Sequence, residues 1–175
     1  YVFDFLTLTP HAVERDIENQ LVAQITRFLL ELGKGFAFLG RQYPLAVNGR
    51  DYFLDLLFYH ARLKCYVVIE LKAVAFKPEY VGKLNFYLEA LDRDVRKPHE
   101  NPAIGVLLCA SRDSEVVEYA LSRTLSPALV AQYQTQLPDK RLLAAKLHEF
   151  YALNAPEAVL AEPAPAPRAN KGGKK

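Results

Sequence analysis

Two carboxylates stand where strands want apolar side chains. Asp55 interrupts the run Leu54-Asp55-Leu56-Leu57-Phe58-Tyr59, and the run Tyr66-Val67-Val68-Ile69 delivers Glu70-Leu71-Lys72. A carboxylate among large apolar neighbours costs several kcal/mol unless it is paired or binds a cation. Whatever fold the chain adopts must therefore bring each one to a partner. Side chains alternate along a strand, so Glu70 and Lys72 share a face, about 7 Å apart between Cα atoms, while Leu71 faces the core. If the preceding strand pairs antiparallel, Asp55 comes close to Glu70 on that face. Two ionised carboxylates at such range repel, which leaves a shared proton or a bound cation. An oxygen-only donor set suits Mg²⁺, with Mn²⁺ as a substitute, and such a cation completes its shell with water and phosphate oxygens. An ammonium beside it suits the same phosphate. A buried ion pair of Lys72 with either carboxylate, without catalysis, is the competing reading. It is the better one for any of the three residues alone, and the weaker one for all three on neighbouring strands.

The rest of the chain supplies the frame. Thr9-Pro10 reads as an N-cap and first helical position, and Val13, Ile17, Leu21, Ile25, Phe28 and Leu32 then recur at helical spacing until Gly33-Lys34-Gly35. Phe36 to Val47 reads as a strand, Asn48-Gly49 as a two-residue hairpin turn, and Tyr52 to His60 and Cys65 to Leu71 as two further strands of an antiparallel meander. Pro78 opens a helix to about Asp92, and Ala103 to Ala110 is a buried strand. Ser114 is expected to cap a short helix through Leu121, Ala128 to Gln132 to add a last strand, and Arg141 to Leu153 to form a closing helix. The expectation is an α/β domain over 1–154 with a mixed sheet flanked by helices. A Pro/Ala/Lys-rich tail, 155–175, follows, read as disordered from Glu162 onward.

These residues and their order resemble the PD-(D/E)xK nuclease superfamily, whose restriction-endonuclease-like core runs αβββαβ. More closely, long blocks resemble the bacterial YhcG-type PDDEXK nuclease domain: Asp16-Ile17-Glu18-Asn19-Gln20-Leu21-Val22, Phe28-Leu29-Leu30-Glu31-Leu32-Gly33, Phe36-Ala37-Phe38-Leu39-Gly40-Arg41-Gln42-Tyr43, Asp55-Leu56-Leu57-Phe58-Tyr59-His60 and Phe76-Lys77-Pro78-Glu79-Tyr80. The resemblance implies hydrolysis of phosphodiester bonds in nucleic acid, with DNA the expected substrate, by metal-activated water. It implies Asp55 and Glu70 as metal ligands, the backbone carbonyl of Leu71 as a third oxygen, and Lys72 as the catalytic lysine. Glu18 matches an additional carboxylate on the first helix, with an exposed helix charge as the alternative. Lys83-Leu84-Asn85-Phe86-Tyr87 falls where relatives carry Gln-x-x-x-Tyr, with Lys in place of Gln, and Ala73-Val74-Ala75 replaces a turn that often holds Gly. Gln42, Lys77, Lys83 and Tyr87 are expected to contact nucleic acid, and Tyr43 to approach the site or pack in the core. A fold-retaining module that binds nucleic acid or protein without cutting is the alternative.

Composition narrows the rest. A net charge of +2 does not announce a nucleic-acid binder, so a basic surface must be local. Arg41, Arg50, Lys77, Lys83, Arg93, Arg96 and Lys97 are the candidates to grip a phosphate backbone around the site. Lys171, Lys174 and Lys175 read as a solvated tail. Cys65 and Cys109 read as buried, reduced thiols, and four scattered histidines suggest no zinc cluster or triad. No apolar stretch approaches a membrane span, and the expectation is a cytoplasmic protein. The chain has no Met and opens on Tyr1-Val2-Phe3-Asp4-Phe5. That suggests a fragment preceded by another domain, with residues 1–9 as a lead-in. Oligomeric state stays open, a homodimer being one way for such domains to cut both strands.

Overall fold

A computed structural model describes residues 10–32, 34–72, 74–110, 115–122 and 125–154; within the first helix, side chains are described for Asp16 and residues 19–31. The lead-in 1–9 and the tail 155–175 lie outside the described residues. Element order is α1 (Pro10–Leu32), β1 (Phe36–Val47), β2 (Arg50–His60), β3 (Cys65–Lys72), α2 (Pro78–Asp94), β4 (Ile104–Ala110), β5 (Glu115–Ala120), α3 (Pro127–Gln136) and α4 (Lys140–Asn154). The five strands lie in chain order, β1-β2-β3-β4-β5. All neighbours are antiparallel except β3 and β4, which run parallel because α2 crosses between them. This is the expected α/β mixed sheet with an αβββαβ core.

Each face of the sheet has its own core. Leu21, Ile25 and Leu29 of α1, Tyr133 of α3 and Leu143, Leu147 and Phe150 of α4 cover Leu56, Phe58, Val67, Ile69, Val106 and Leu108. On the opposite face Leu84, Tyr87, Leu88 and Leu91 of α2 cover Leu54, Leu57, Val68, Leu107 and Cys109. Every residue of β4 is buried, as a strand covered on both faces requires. Gly105 lets α2 settle there: a Cβ would stand 2.7 Å from the Leu84 side chain. Cys65 and Cys109 are buried and unpaired.

Two expectations at the C-terminal end are overturned. Residues Glu115–Ala120 form the edge strand β5, not a helix, pairing with β4 from Gly105↔Ala120 to Ala110↔Glu115. The segment 128–132 is not a strand but lies inside α3. Its start is signalled by Ser126, whose hydroxyl accepts from Leu129 N–H at 3.2 Å, and by Pro127 at the first helical position.

The β1–β2 hairpin departs from a regular pleat in a way that matters for the site. Leu54 and Leu57 belong to the α2-side core, whereas Leu56 and Phe58 belong to the other. With a strict period of two, Leu54 and Leu56 would share a face. The phase therefore slips by one at Asp55. β1 is irregular beside it, with a register shift between Phe38 and Gly40 and a left-handed Gln42 (φ 48°), while Phe36 packs on the α1 side and Leu45 and Val47 on the α2 side.

Candidate active site

The sheet forks at the two carboxylates. Backbone pairing of β2 with β3 runs from His60↔Cys65 to Leu56↔Ile69, while β3 continues alongside β4 as far as Lys72↔Cys109. Just beyond Leu56↔Ile69, side chains stand in for carbonyls. Leu71 N–H donates to Asp55 Oδ2 at 2.9 Å, and Asp55 N–H donates to Glu70 Oε1 at 3.2 Å. Gln42, opposite Asp55 on β1, donates from Nε2 to Asp55 Oδ1 at 3.1 Å. Asp55 is thus held at both oxygens, and its orientation follows from three strands at once.

Glu70 is 5 % exposed, Asp55 half-buried. Burial, then the negative charge of Asp55, pushes the Glu70 carboxyl up to about 8; the Asp55 N–H and the Lys72 ammonium act against that rise. A carboxyl so placed gains from any cation that enters. Among the described residues no group of three His, Cys, Asp or Glu converges on a metal position, and Asp55 and Glu70 meet as a pair. An all-oxygen pair in which Asp55 stands against a buried Glu70 fits a hard divalent cation that keeps most of its water.

The remaining residues line the α2 side of the fork. The Lys72 ammonium lies 5.2 Å from the centre of the Tyr80 ring, and that of Lys83 lies 5.8 Å from the Tyr87 ring. Tyr87 is buried, and its phenol is raised first by burial and then by the Glu70 charge, which places it beside the pair. Lys77, exposed, precedes the first turn of α2. Tyr43 is half-buried and packs on the α2-side core, the second of its two expected roles. The backbone of Leu71 is at the fork, its N–H on Asp55. Glu18 is within α1, but its side chain falls outside the described residues.

Three of the proposed phosphate-gripping residues are elsewhere. α2 starts near Lys72 and returns along the sheet, so its C-terminal end meets the start of β3: Ala103 N–H donates to Asp92, and Asn101 N–H to Lys64 carbonyl oxygen. Arg93, Arg96 and Lys97 therefore lie at the end of the sheet opposite the fork. Arg93 pairs with Asp94, and Arg96 donates to the Glu100 carbonyl. Arg50 lies beside the turn of the hairpin, whose strands run on past the fork. Arg41 borders an open groove between α1 and the edge strand β1. Sequence reasoning passed over the aromatic neighbours of the fork, Tyr52, Tyr80 and Phe86. For Tyr80 the signal was the spacing Tyr80, Lys83, Tyr87, one face of a helix.

A mixed sheet that opens at an Asp/Glu pair, with a lysine two residues beyond the Glu, has the arrangement of a PDDEXK nuclease domain. The chain belongs to the YhcG PDDEXK nuclease domain family, whose model matches residues 1–148. It is 38% identical over 147 residues to YhcG of Escherichia coli (strain K12), a protein named as a candidate nuclease. That match covers 84% of this chain and 39% of YhcG, so the chain spans about two fifths of the relative's length. Among solved structures, a repair endonuclease from Pyrococcus abyssi shares 17% identity, with 66% of this chain and 43% of that one covered and a TM-score of 0.39.

Proposed function

We propose that this domain hydrolyses phosphodiester bonds in DNA with a divalent cation, Mg²⁺ or Mn²⁺, held by Asp55, Glu70 and the carbonyl oxygen of Leu71. The observation that carries the reading is the fork, where two carboxylates are fixed by backbone and Gln42 contacts while Glu70 is buried beside a like charge. When bound, the cation supplies charge neutralisation at the scissile phosphate and lowers the pKa of water.

The chain's own residues do the rest. Gln42 orients Asp55 through its amide. Glu70 would hold the cation as the carboxylate, its proton released to water. Lys72, two residues on and across from Tyr80, donates to a phosphate oxygen or to the attacking water and neutralises the charge that develops there. Lys83 and Lys77 hold neighbouring phosphates along α2, with the Lys83 ammonium above the buried Tyr87 ring. Glu18 on α1 is a further candidate for water orientation. The unpaired, buried Cys65 and Cys109 suit a reducing cytoplasm.

The test is cleavage of plasmid, linear, branched and single-stranded DNA by the purified chain with Mg²⁺ or Mn²⁺. Asp55→Ala, Glu70→Ala and Lys72→Ala should each abolish cleavage. Activity surviving all three changes would belong to a contaminant and sink the proposal. Salt-sensitive binding with no cleavage would favour the non-catalytic module.

A further inference from the structure

On α2 the large apolar side chains Leu84, Leu88 and Leu91 are buried, but Phe86 is left 39% exposed. Its ring lies 5.2 Å from that of Tyr52 on β2 and 6.0 Å from that of Tyr87, and Tyr52 and Tyr87 are 6.1 Å apart. The three rings make one patch, backed by the hairpin and open outward at Phe86. It borders the fork: Tyr52 stands three residues before Asp55 on β2, and Tyr87 shares the α2-side core with Leu54, the neighbour of Asp55. Lys83 is three residues before Phe86, a neighbour on the helix surface, with its ammonium above the Tyr87 ring.

Cations beside exposed rings have a specific use. A duplex offers phosphates and base edges, and lysines and amides suffice for those. The face of a base is stacked on its neighbours in a duplex and becomes available only in an unpaired strand. An exposed ring one step from a phosphate-holding lysine therefore gains nothing from double-stranded substrate and a great deal from an unpaired one.

We propose that Phe86, supported by Tyr52 and Tyr87, is a stacking platform for an unpaired nucleobase, so that the strand entering the fork is single-stranded. The shared chemistry is a nucleobase π-face beside a phosphate, in DNA or RNA. The location beside a cleavage centre rests on the function proposed above; the stacking itself does not.

The experiment uses the 175-residue chain in EDTA, where binding is read without cutting. Anisotropy is measured with a short labelled single-stranded DNA, the same sequence as RNA, and its DNA duplex. Wild type should bind the single strand more tightly than the duplex, the DNA and RNA arms identifying the preferred strand. Phe86→Leu, which keeps apolar volume but no π-face, should lose roughly ten-fold in single-strand affinity, within the range of one base–aromatic stack, with duplex binding unchanged. Phe86→Tyr should restore it. A 2-aminopurine in the single strand should be quenched by wild type and not by the Leu variant; with no Trp in the chain, protein emission does not intrude. Equal loss on single strand and duplex, or full single-strand affinity in Phe86→Leu, overturns the proposal. So does the absence of single-strand binding by wild type. Failure of the cleavage reading looks different: Asp55→Ala would leave cleavage in Mg²⁺ intact while the Phe86 results stand.

Discussion

Replacing Glu70 by Gln should make the metal-free protein more stable at pH 8 and abolish its response to Mg²⁺. The amide keeps an oxygen for the Asp55 N–H, so the fork is retained. What changes is the charge. In the unfolded chain the Glu70 carboxyl ionises near its ordinary 4.5, whereas in the folded protein it is held up to about 8, by burial first and the Asp55 charge second. A raised carboxyl contributes its stability in full below the unfolded value and loses it as pH climbs through the folded one. At about 1.4 kcal/mol per pH unit, that window removes at most about 4–5 kcal/mol. With water entry and local relaxation about half of it is expected, roughly 2 kcal/mol, or about 4–8 °C in Tm for a domain of this size. The assay is thermal unfolding in EDTA from pH 5 to 8.5, wild type against Glu70→Gln, so that other titrations cancel. The gap in favour of the variant should open as pH rises. Mg²⁺ should then raise the wild-type Tm more at pH 8 than at pH 6 and leave the variant unmoved. A variant less stable than wild type at pH 8 in EDTA, or a gap independent of pH, would refute the electrostatic account of the fork.

Lys72→Met should keep the Mg²⁺-induced rise in Tm while cutting the cleavage rate by about 100-fold or more, since the ammonium acts on the phosphate and not on the cation; single-turnover cleavage beside a Mg²⁺ thermal titration separates the two. Gln42→Ala frees one oxygen of Asp55 and should weaken Mg²⁺ binding about 10-fold, as loss of an orienting partner commonly does, with less than about 1 kcal/mol lost in urea unfolding. Gly105→Ala places a Cβ against Leu84 and should cost about 1–3 kcal/mol. Combining it with Leu84→Ala should cost less than the two separate changes added, as expected for groups that share one space.

Most of the frame was legible because its signals are local and strong. Pro10 and Pro78 start helices, Asn48-Gly49 closes a hairpin, and the apolar runs of β2, β3 and β4 have strand length. Asp55 and Glu70 could be paired on paper because a short antiparallel meander leaves few registers. The C-terminal end misled for physical reasons. Glu115-Val-Val-Glu-Tyr-Ala is an edge strand whose two fully buried positions, Val117 and Ala120, are three apart, a spacing that imitates a helix. Pro127-Ala-Leu-Val-Ala reads as apolar and β-branched, and only the Ser126-Pro127 cap reveals α3. At the site, the phase slip at Asp55 has no sequence signature of its own. A left-handed Gln42 stands opposite it on the neighbouring strand and hydrogen-bonds Asp55, a contact that residue spacing does not give. The misplacement of Arg93, Arg96 and Lys97 came from treating α2 as a patch when it is a rod that carries its far end away.

The mixed strand directions of the sheet also dictate a sequence of assembly. Asp55 and Glu70 lie 15 residues apart within the antiparallel meander, so their meeting requires only short loops to close. The parallel partner β4 can join β3 only after the whole α2 crossover has folded back, a longer closure that is entropically slower. The carboxylate pair is thus expected to form early and the lysine- and aromatic-bearing wall of α2 to be added to it later. A nascent chain would hold its two clashing acids before it holds the α2 wall, and a divalent cation present at that stage would act on folding as well as on the finished site.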